Sequence, residues 1–438
     1  MKSVKTKLAA LNFLEFAVWG AYLTSLGAYL SHVGFATEIA WFYAVQGFVS
    51  IFMPALIGII ADRWIPAQQL LGLCHIMAGL FMCLAGWYGA TAETVHFAPL
   101  FILYTISVAF YMPSIGLANS VNYSVLTRAG FDTVKHFPPI RTLGTVGFIM
   151  SMLFVNFTGF QNTYAQVFTS GVLSFVLALY AFICLPSCPV AGCSEKKKSL
   201  GEQLGLRAFK LFEDRQMAIF FIFSMLLGVA LQITNGFANP FIQSFGALPK
   251  FADDWGVKNA NALISISQMS ETLCILLIPF FLKRFGIKVV MLMAMFAWVL
   301  RFSFFALGNP GDGVWLFVLS MIVYGMAFDF FNVSGSLFVD QQTPVEMRSS
   351  AQGLFMLMNN GIGILVGTLV AQLVINKFVF SRPQGLEQIE GWSTSWFIFA
   401  AYALVIAILF AIFFNYRHNQ SLTRQELMRE EDKPFDSI

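Results

Sequence analysis

Ionisable side chains inside long apolar runs are the residues of this chain whose types and positions could do chemistry. The carboxyl groups of Glu15, Glu271 and Asp329 and the guanidinium group of Arg301 all lie in such runs. An ionisable group in hydrocarbon costs about 2.5–3.5 kcal/mol on insertion scales, so such groups usually face a cavity and have a function. A carboxyl group in a low-dielectric site can bind a proton and release it as its access to water alternates. The three carboxyl groups are therefore candidate proton carriers.

Depth in the membrane ranks these candidates. At about 1.5 Å per helical residue, Glu271 lies roughly 16 Å from the outer end of its apolar run, close to the bilayer midplane. We therefore rank Glu271 first, Asp329 second and Glu15 third. Glu15 could instead be a buried, permanently protonated hydrogen bonder. Arg301 could pair or snorkel at the outer side, or it could be the partner of an acidic residue.

Amide side chains recur at helical spacing near the carboxyl groups. Gln232, Asn235 and Asn239 are spaced i, i+3 and i+7 and share one helix face. Gln268 precedes Glu271 by three residues on another helix. The sequence predicts that Gln232, Asn235 and Gln268 converge with Glu271 at one depth to form a binding site.

Further polar and aromatic residues at membrane depth extend this pattern. They are Asp329 and Asn332 among Tyr324, Phe328 and Phe331; Arg141 and Thr145, expected to begin the fifth helix just after Pro138 and Pro139; and Asn119 with Asn122. Amides pair with hydroxyls and heterocycle edges, and aromatic faces stack, so the site suits a neutral polar solute with an aromatic ring. Interhelical hydrogen bonding is the alternative role for such amides. We favour that role for Asn119 and Asn122.

The elements that position these residues are predicted to be transmembrane helices. The chain has 438 residues, of which 58% are hydrophobic and only 11% are charged; soluble domains carry about 25% charged residues. About 20 apolar residues are needed to cross the hydrocarbon as a helix. The sequence predicts an all-α integral membrane protein with twelve such spans, at 8–31, 40–60, 69–89, 98–124, 138–159, 164–186, 216–246, 260–282, 287–307, 314–338, 350–376 and 395–415.

The distribution of basic residues predicts the orientation. With the N-terminus inside, 21 Lys and Arg residues fall on inner segments and four on outer segments. Basic residues favour the cytoplasmic side, so both termini are expected in the cytoplasm. The first apolar run continues to about Leu30, beyond the hydrophobic region of a signal peptide, so we interpret it as the first span.

The longest connection divides six spans from six. We expect an N-terminal half at 1–186, a cytoplasmic linker at 187–215, a C-terminal half at 216–416 and a cytoplasmic tail at 417–438. Two six-helix halves related by an axis along the membrane normal are the major facilitator arrangement, with the solute site between them near the midplane. Asp62 and Arg63 follow Gly58 on an inner turn, where they are either gating residues or topological anchors.

Several functional classes are excluded or disfavoured. The sequence has no phosphate-binding G-x-x-x-x-G-K-[ST] motif, which leaves a proton gradient as the expected energy source and no cofactor. An intramembrane enzyme or receptor is disfavoured, because no metalloprotease or nucleophile-elbow motif is present. The net charge of +3 does not suggest nucleic acid. Cys188 and Cys193 have no nearby His, so no metal site is expected.

The sequence resembles the nucleoside:proton symporter family of the major facilitator superfamily, the bacterial nucleoside and xanthosine permeases. The resemblance runs almost end to end. Its strings are Phe137–Arg141, Gly144–Phe148, Met217–Phe221, Leu231–Asn235, Ser267–Gln268 with Glu271, Ile278–Leu282, Arg284–Lys288, Leu319–Gly325 and Ala327–Asn332.

The resemblance implies proton-coupled import of purine and pyrimidine nucleosides across a bacterial inner membrane. It assigns the substrate and coupling region to Arg141, Thr145, Gln232, Asn235, Gln268, Glu271, Tyr324, Phe328 and Asp329. We expect the protein to be a monomer in the lipid bilayer. Glu15 is a departure, because Gln is expected there in the family, and this puts in doubt which carboxyl group carries the proton. A proton-coupled sugar or oligosaccharide symporter of the same fold is the alternative.

Overall fold

Long helices make up nearly all of the chain. The computed structural model describes residues 2–188, 206–344 and 347–416. We label the helices α1 Lys2–Gly20, α2 Leu26–His32, α3 Ile39–Arg63, α4 Ala67–Thr91, α5 Phe97–Arg128, α6 Thr133–Phe157, α7 Ala165–Ile183, α8 Arg215–Ser244, α9 Ala260–Leu307, α10 Val314–Gln342, α11 Arg348–Met356, α12 Ile364–Ile375 and α13 Leu386–Phe413.

Twelve membrane crossings account for these helices, which confirms the predicted fold class. Ten helical stretches of the described chain are long and apolar enough to cross a bilayer, and one of them is the 48-residue α9. A straight helix of that length would span about 72 Å, more than twice the hydrocarbon thickness of about 30 Å. Helix α9 turns back at Gly286, whose φ of 75° only glycine adopts readily, and so supplies two crossings.

The first crossing is an interrupted helix. Turn residues 21–25 separate α1 from α2, but backbone hydrogen bonds such as Leu23 N to Trp19 O, 3.0 Å, carry the chain onward in the same direction. Together α1 and α2 span residues 2–32, which matches the predicted span at 8–31. Crossing eleven is built similarly, with π-helical turns at Leu357–Gly363 and Asn376–Phe380 flanking α12.

The start of the fifth crossing differs from the prediction. We expected the helix to begin just after Pro138 and Pro139, but α6 begins at Thr133 and contains both prolines. Proline lacks the N–H group that an interior helical position donates. Both prolines lie within two turns of the N-terminus of α6, so few backbone hydrogen bonds are lost there.

The buried apolar residues form two clusters. A large cluster contains buried residues from both sequence halves, for example Tyr43 and Phe237. A smaller cluster lies within residues 8–188 and gathers the ends of the N-terminal helices that face the predicted cytoplasm, including Leu8, Leu126 and Leu185. The halves therefore share one core, which in the C-terminal half extends to the inner helix ends, while the N-terminal half has a second core at the inner face.

The predicted domain division lies partly outside the described residues. Helix α7 ends at Ile183 and α8 begins at Arg215, on either side of the expected linker. Residues 189–205 and 417–438, which hold most of that linker and the tail, are outside the described part. The division at 186, 215 and 416 stays a prediction.

Candidate functional site

Neutral amides hold the two halves together at the predicted outer face. Asn156 on α6 donates from Nδ2 to Asn259 Oδ1 at 2.8 Å and accepts from the backbone N–H of Ala262 at 3.1 Å. Thr24 donates to Asn261 Oδ1 at 2.5 Å. We call Asn156, Gln161, Asn259, Asn261, Gln372 and Asn376 the outer amide cluster. All six have side-chain hydrogen bonds to the opposite half.

The hydrogen bonds found between described residues of the two halves all join outer ends of helices, as in the pairs of α6 with α9 and of α3 with α12. Close packing continues inward to Gly47, where an added Cβ would lie 2.8 Å from the carbonyl oxygen of Gly361. The space between the halves is thus closed at the predicted outer side.

Arg141 is a charged residue of the N-terminal half that faces the C-terminal half. Its guanidinium carbon lies 3.7 Å from the centre of the Phe16 ring, a cation–π contact between α6 and α1. The same guanidinium group interacts electrostatically with Glu271 and Asp329 of the other half. Arg141 is only partly buried. It therefore lines the space between the halves at the depth of the two carboxyl groups.

Glu271 and Asp329 are neighbours because α9 and α10 pack closely. A Cβ added to Gly325 would lie 2.6 Å from the backbone of Ser270, and the Ser270 hydroxyl donates to the carbonyl oxygen of Ile322. Asp329 is 5% exposed, and its Oδ2 atom has no hydrogen-bond partner among the described residues. Glu271 is partly exposed. The two carboxyl groups interact with each other as well as with Arg141.

The predicted amide site is partly assembled. Asn235 Nδ2 donates to Gln232 Oε1 at 2.9 Å on α8, and the Gln268 side chain lies close to the Tyr324 hydroxyl. Asn235 and Gln268 are partly exposed. Asn239 belongs elsewhere, since it accepts from Gln243 at 2.8 Å toward the outer end of α8. Amide groups of α8 and α9 that can still donate or accept hydrogen bonds thus lie near the carboxyl groups of Glu271 and Asp329.

The aromatic residues of α10 form a flat surface next to these amides. The rings of Tyr324 and Phe328 are 5.9 Å apart and parallel to within 2°. The guanidinium carbon of Arg301 lies 4.5 Å from the centre of the Tyr324 ring. Phe328 is partly exposed and Tyr324 is buried, so Phe328 presents the accessible aromatic surface.

Arg301 differs from both of its expected roles. It is 2% exposed and so does not snorkel to the outer surface. Its Nη1 atom donates to the Ser320 carbonyl oxygen at 2.7 Å, and no described carboxylate forms an ion pair with it. The side chain instead packs among the rings of Trp298, Phe305 and Tyr324. Arg301 thus packs against the buried ring of Tyr324.

Glu15 lies inside the N-terminal half. Its Oε2 atom is 3.0 Å from Nε2 of His75, and its Oε1 atom accepts from the Ser114 hydroxyl at 2.6 Å. Both Glu15 and His75 are fully buried. Sequence reasoning missed His75, although a titratable residue inside the predicted span 69–89 was a signal for it.

The other predicted residues are placed as follows. Thr145 is partly exposed on α6, one turn after Arg141. Asn122 accepts from Asn12 at 3.0 Å between α5 and α1, which is the interhelical role expected of it. Asp62 and Arg63 end α3, and their side chains lie outside the described part. Cys193 is also outside it, so the pair with Cys188 cannot be located.

Asn332 and Asn359 form a contact that the sequence pattern did not predict. Asn359 Nδ2 donates to Asn332 Oδ1 at 2.8 Å, which joins α10 to the π-helical turn Leu357–Gly363. Such turns are frequent at functional sites because they redirect side chains. Asn332 is partly exposed one turn beyond Phe328, so this pair extends the polar surface of the C-terminal half.

Comparison with known proteins identifies the class of transporter. The profile of a family described as Nucleoside H+ symporter matches residues 1–419. The chain belongs to the nucleoside H+ symporter family. The xanthosine permease of Escherichia coli K12 is 44% identical over 422 residues, which cover 95% of this chain and 97% of that protein. The nucleoside permease NupG of the same organism is 44% identical over 423 residues, with the same coverage.

Structural comparison agrees with this assignment. A crystal structure of the nucleoside transporter NupG matches with a TM-score of 0.84 at 44% identity, covering 94% of this chain and all of that one. The fold is that of the major facilitator superfamily, and the chain is a multi-pass membrane transporter and not an enzyme. The family resemblance noted in the sequence is confirmed.

Membership of the nucleoside H+ symporter family indicates which chemistry Arg141, Glu271 and Asp329 could serve. A symporter of this family needs a group that exchanges a proton and groups that recognise a polar, aromatic solute. Arg141 interacts electrostatically with the carboxyl groups of Glu271 and Asp329 in the opposite half. The amides of α8 and α9 and the ring of Phe328 border the same space.

Proposed function

We propose that this chain imports nucleosides together with protons by alternating access between its two halves. The observation that supports the proposal is that Arg141, in the N-terminal half, lies within electrostatic range of Glu271 and Asp329 in the C-terminal half, although no direct ion pair joins them among the described residues. A charge attraction across the space between the halves responds both to protonation and to closure. Such an attraction can therefore couple a proton to the movement of a solute.

The amides and aromatic rings bind the nucleoside in this proposal. Gln232, Asn235 and Gln268 supply paired donors and acceptors for ribose hydroxyls and base edges, and Thr145 adds a hydroxyl group from the opposite half. Phe328 stacks on the base, with Tyr324 behind it at 5.9 Å. The relatives named for nucleosides and xanthosine support this choice of substrate class over a sugar.

Glu271 is the first candidate for the coupling proton, and Asp329 is the second. In the empty transporter the Glu271 carboxylate attracts Arg141. A proton from the outer water binds this carboxylate, removes its charge and weakens that attraction, so Arg141 is free to contact the solute. When the site opens inward, the proton returns to water on the inner side.

The energy of accumulation comes from the proton gradient. One elementary charge moved across the membrane gains about 2.3 kcal/mol per 100 mV. No cofactor is required for this exchange. We place the protein in the bacterial inner membrane as a monomer, with both termini in the cytoplasm. In that orientation the outer amide cluster closes the periplasmic side, and Asp62 and Arg63 act at the inner gate.

Uptake by purified protein in proteoliposomes tests the proposal. A pH gradient that is acidic outside the vesicles is imposed. The accumulation of labelled uridine is then measured with unlabelled nucleosides or sugars as competitors. We expect accumulation that collapses with a protonophore and is inhibited by nucleosides. Inhibition by sugars alone would replace the proposal with a sugar symporter. Uridine uptake that stops at equal concentrations inside and outside, with or without the pH gradient, would contradict proton coupling.

A further inference from the structure

Four helices of the N-terminal half contribute to a buried polar cluster that the proposed transport cycle does not use. Glu15 of α1 lies 3.0 Å from Nε2 of His75 on α4, and Nδ1 of His75 lies 3.2 Å from the Ser174 hydroxyl on α7. Ser114 of α5 donates to the other oxygen of Glu15. Each of these four side chains is at most 2% exposed. The cluster therefore has no direct access to a solute.

The pairing of Glu15 with His75 avoids the burial of an unpaired carboxylate. An isolated carboxylate in a dry interior is costly, and breaking a buried pair by removing one partner is strongly destabilising. The 3.0 Å contact between Nε2 of His75 and Oε2 of Glu15 places the imidazole where it can offset a charge on the carboxyl group. The Glu15 carboxyl group is thus neutralised from within its own half.

Glu15 is also close to the coupling machinery. The next residue, Phe16, carries the ring on which Arg141 lies at 3.7 Å. Helices α1 and α6 are packed so closely there that a Cβ on Gly144 would come within 2.6 Å of the Phe16 ring and 2.9 Å of Arg141 Nη1. Arg141 interacts electrostatically with Glu15 as well as with Glu271 and Asp329. The guanidinium group therefore interacts electrostatically with carboxyl groups of both halves.

We propose that His75 is a positioning residue, which keeps the Glu15 carboxyl group neutralised within the N-terminal half so that the charge of Arg141 stays directed at Glu271 and Asp329. This inference rests on the coupling role proposed for Arg141. Four titratable or charged groups face Glu15: His75 and Cys74 of α4, Tyr111 of α5 and Arg141 of α6. Tyr111 donates to the Glu15 backbone carbonyl at 2.8 Å, which leaves His75 and Arg141 as the cations for the carboxylate.

The sign of the expected pH effect follows from this competition. Without His75, a deprotonated Glu15 attracts Arg141 away from the C-terminal half. Glu15 deprotonates as pH rises, so transport by a His75 variant should be lost at alkaline pH and retained at acidic pH. Replacing Glu15 as well removes the competing charge. The double variant should therefore regain the wild-type pH profile.

The test compares uridine uptake by wild type, Glu15→Gln, His75→Gln and the double variant in proteoliposomes, across about pH 5.5 to 8, a range in which imidazole titrates. We expect the alkaline limit of His75→Gln to fall by about one pH unit, which is a tenfold loss at a fixed alkaline pH for a singly titrating group. The double variant should accumulate uridine with the wild-type profile. Ser174→Ala, which keeps both titratable groups, is the matched control and should not shift the profile.

An unchanged profile in His75→Gln, or a double variant no better than His75→Gln, would overturn the inference. Loss of accumulation in Glu15→Gln would also overturn it, because Glu15 would then carry the coupling proton. If His75→Gln does not yield folded protein, His75→Asn, which also removes the imidazole and keeps Glu15, is measured in its place, and an unchanged profile in that variant would overturn the inference. Failure of wild type itself to accumulate uridine would count against the proposed function instead.

Discussion

Asn156 contacts the opposite half of the transporter with both ends of its side-chain amide. Its Nδ2 donates to Asn259 Oδ1 at 2.8 Å, while its Oδ1 accepts from the N–H of Ala262 at 3.1 Å. An amide can donate and accept at the same time, so a single residue makes two hydrogen bonds between the halves. Neither bond involves a charge. Closure of the predicted outer face therefore does not depend on protonation of this residue.

Removing this amide should favour the state that is open on the outer side. Asn156→Ala loses two hydrogen bonds, each worth about 1 kcal/mol net, so we expect the outward-open population to rise about tenfold or more. The measurement is thiol labelling of a cysteine introduced in place of the buried Ser265, one turn inward from Ala262 on α9. Asn122→Ala, which removes a hydrogen bond within the N-terminal half, is the matched control. Equal labelling rates in the two variants would refute a closing role for Asn156.

Substrate affinity should depend on the three amides of the C-terminal half. Replacing Gln232, Asn235 or Gln268 by Ala leaves a polar group of the nucleoside unpaired, at a cost of roughly 1–3 kcal/mol, or about 5- to 150-fold in affinity. Uridine binding to detergent-purified protein measures this. Asn239→Ala is the control, because Asn239 binds Gln243 toward the outer end of the same helix. Wild-type affinity in all three Ala variants would rule out the proposed site.

Topology can be tested independently of transport. The excess of basic residues on one set of loops predicts that both termini are cytoplasmic. A reporter that is active only in the periplasm, fused to the N-terminus, should be inactive, and the same reporter inserted after Gly159, in an outer turn, should be active. The opposite pattern would invert the orientation and with it the sidedness of the outer amide cluster.

Much of the fold could be predicted from the sequence, because crossing a bilayer imposes a length and an apolar composition on every helix. The turn at Gly286 matched the boundary predicted between spans 260–282 and 287–307. The start of α6 was wrong because helices continue beyond the hydrocarbon, where composition no longer marks them. Spacing along one helix likewise placed Gln232 next to Asn235.

Contacts between distant helices could not be predicted in the same way. Spacing put Asn239 on the same face as Gln232, but depth along α8 separates it from the site. His75 and Glu15 lie 60 residues apart, and only the packing of α4 against α1 shows that they are partners. Arg301 was expected to need a carboxylate or water, yet a backbone carbonyl group and three aromatic rings surround it. Such partners depend on helix rotation, which composition does not determine.

The central claim is that a proton on Glu271 couples nucleoside movement to the gradient, through the electrostatic attraction between Glu271 and Arg141. Replacing the coupling carboxyl group with an amide removes proton release but leaves a neutral site that resembles the protonated form. Glu271→Gln should therefore lose gradient-driven accumulation and keep the exchange of internal for external nucleoside, because exchange needs no net release of a proton. Glu387→Gln, an exposed carboxyl group in the last helix, is the matched control.

The decisive measurement is made in one preparation of proteoliposomes, as uridine accumulation under an imposed pH gradient and uridine exchange without a gradient. The account predicts that Glu271→Gln accumulates no uridine above equilibrium while its exchange rate stays within about threefold of wild type, a difference well under 1 kcal/mol in activation free energy. Accumulation by Glu271→Gln against a gradient, with wild-type pH dependence, would contradict it.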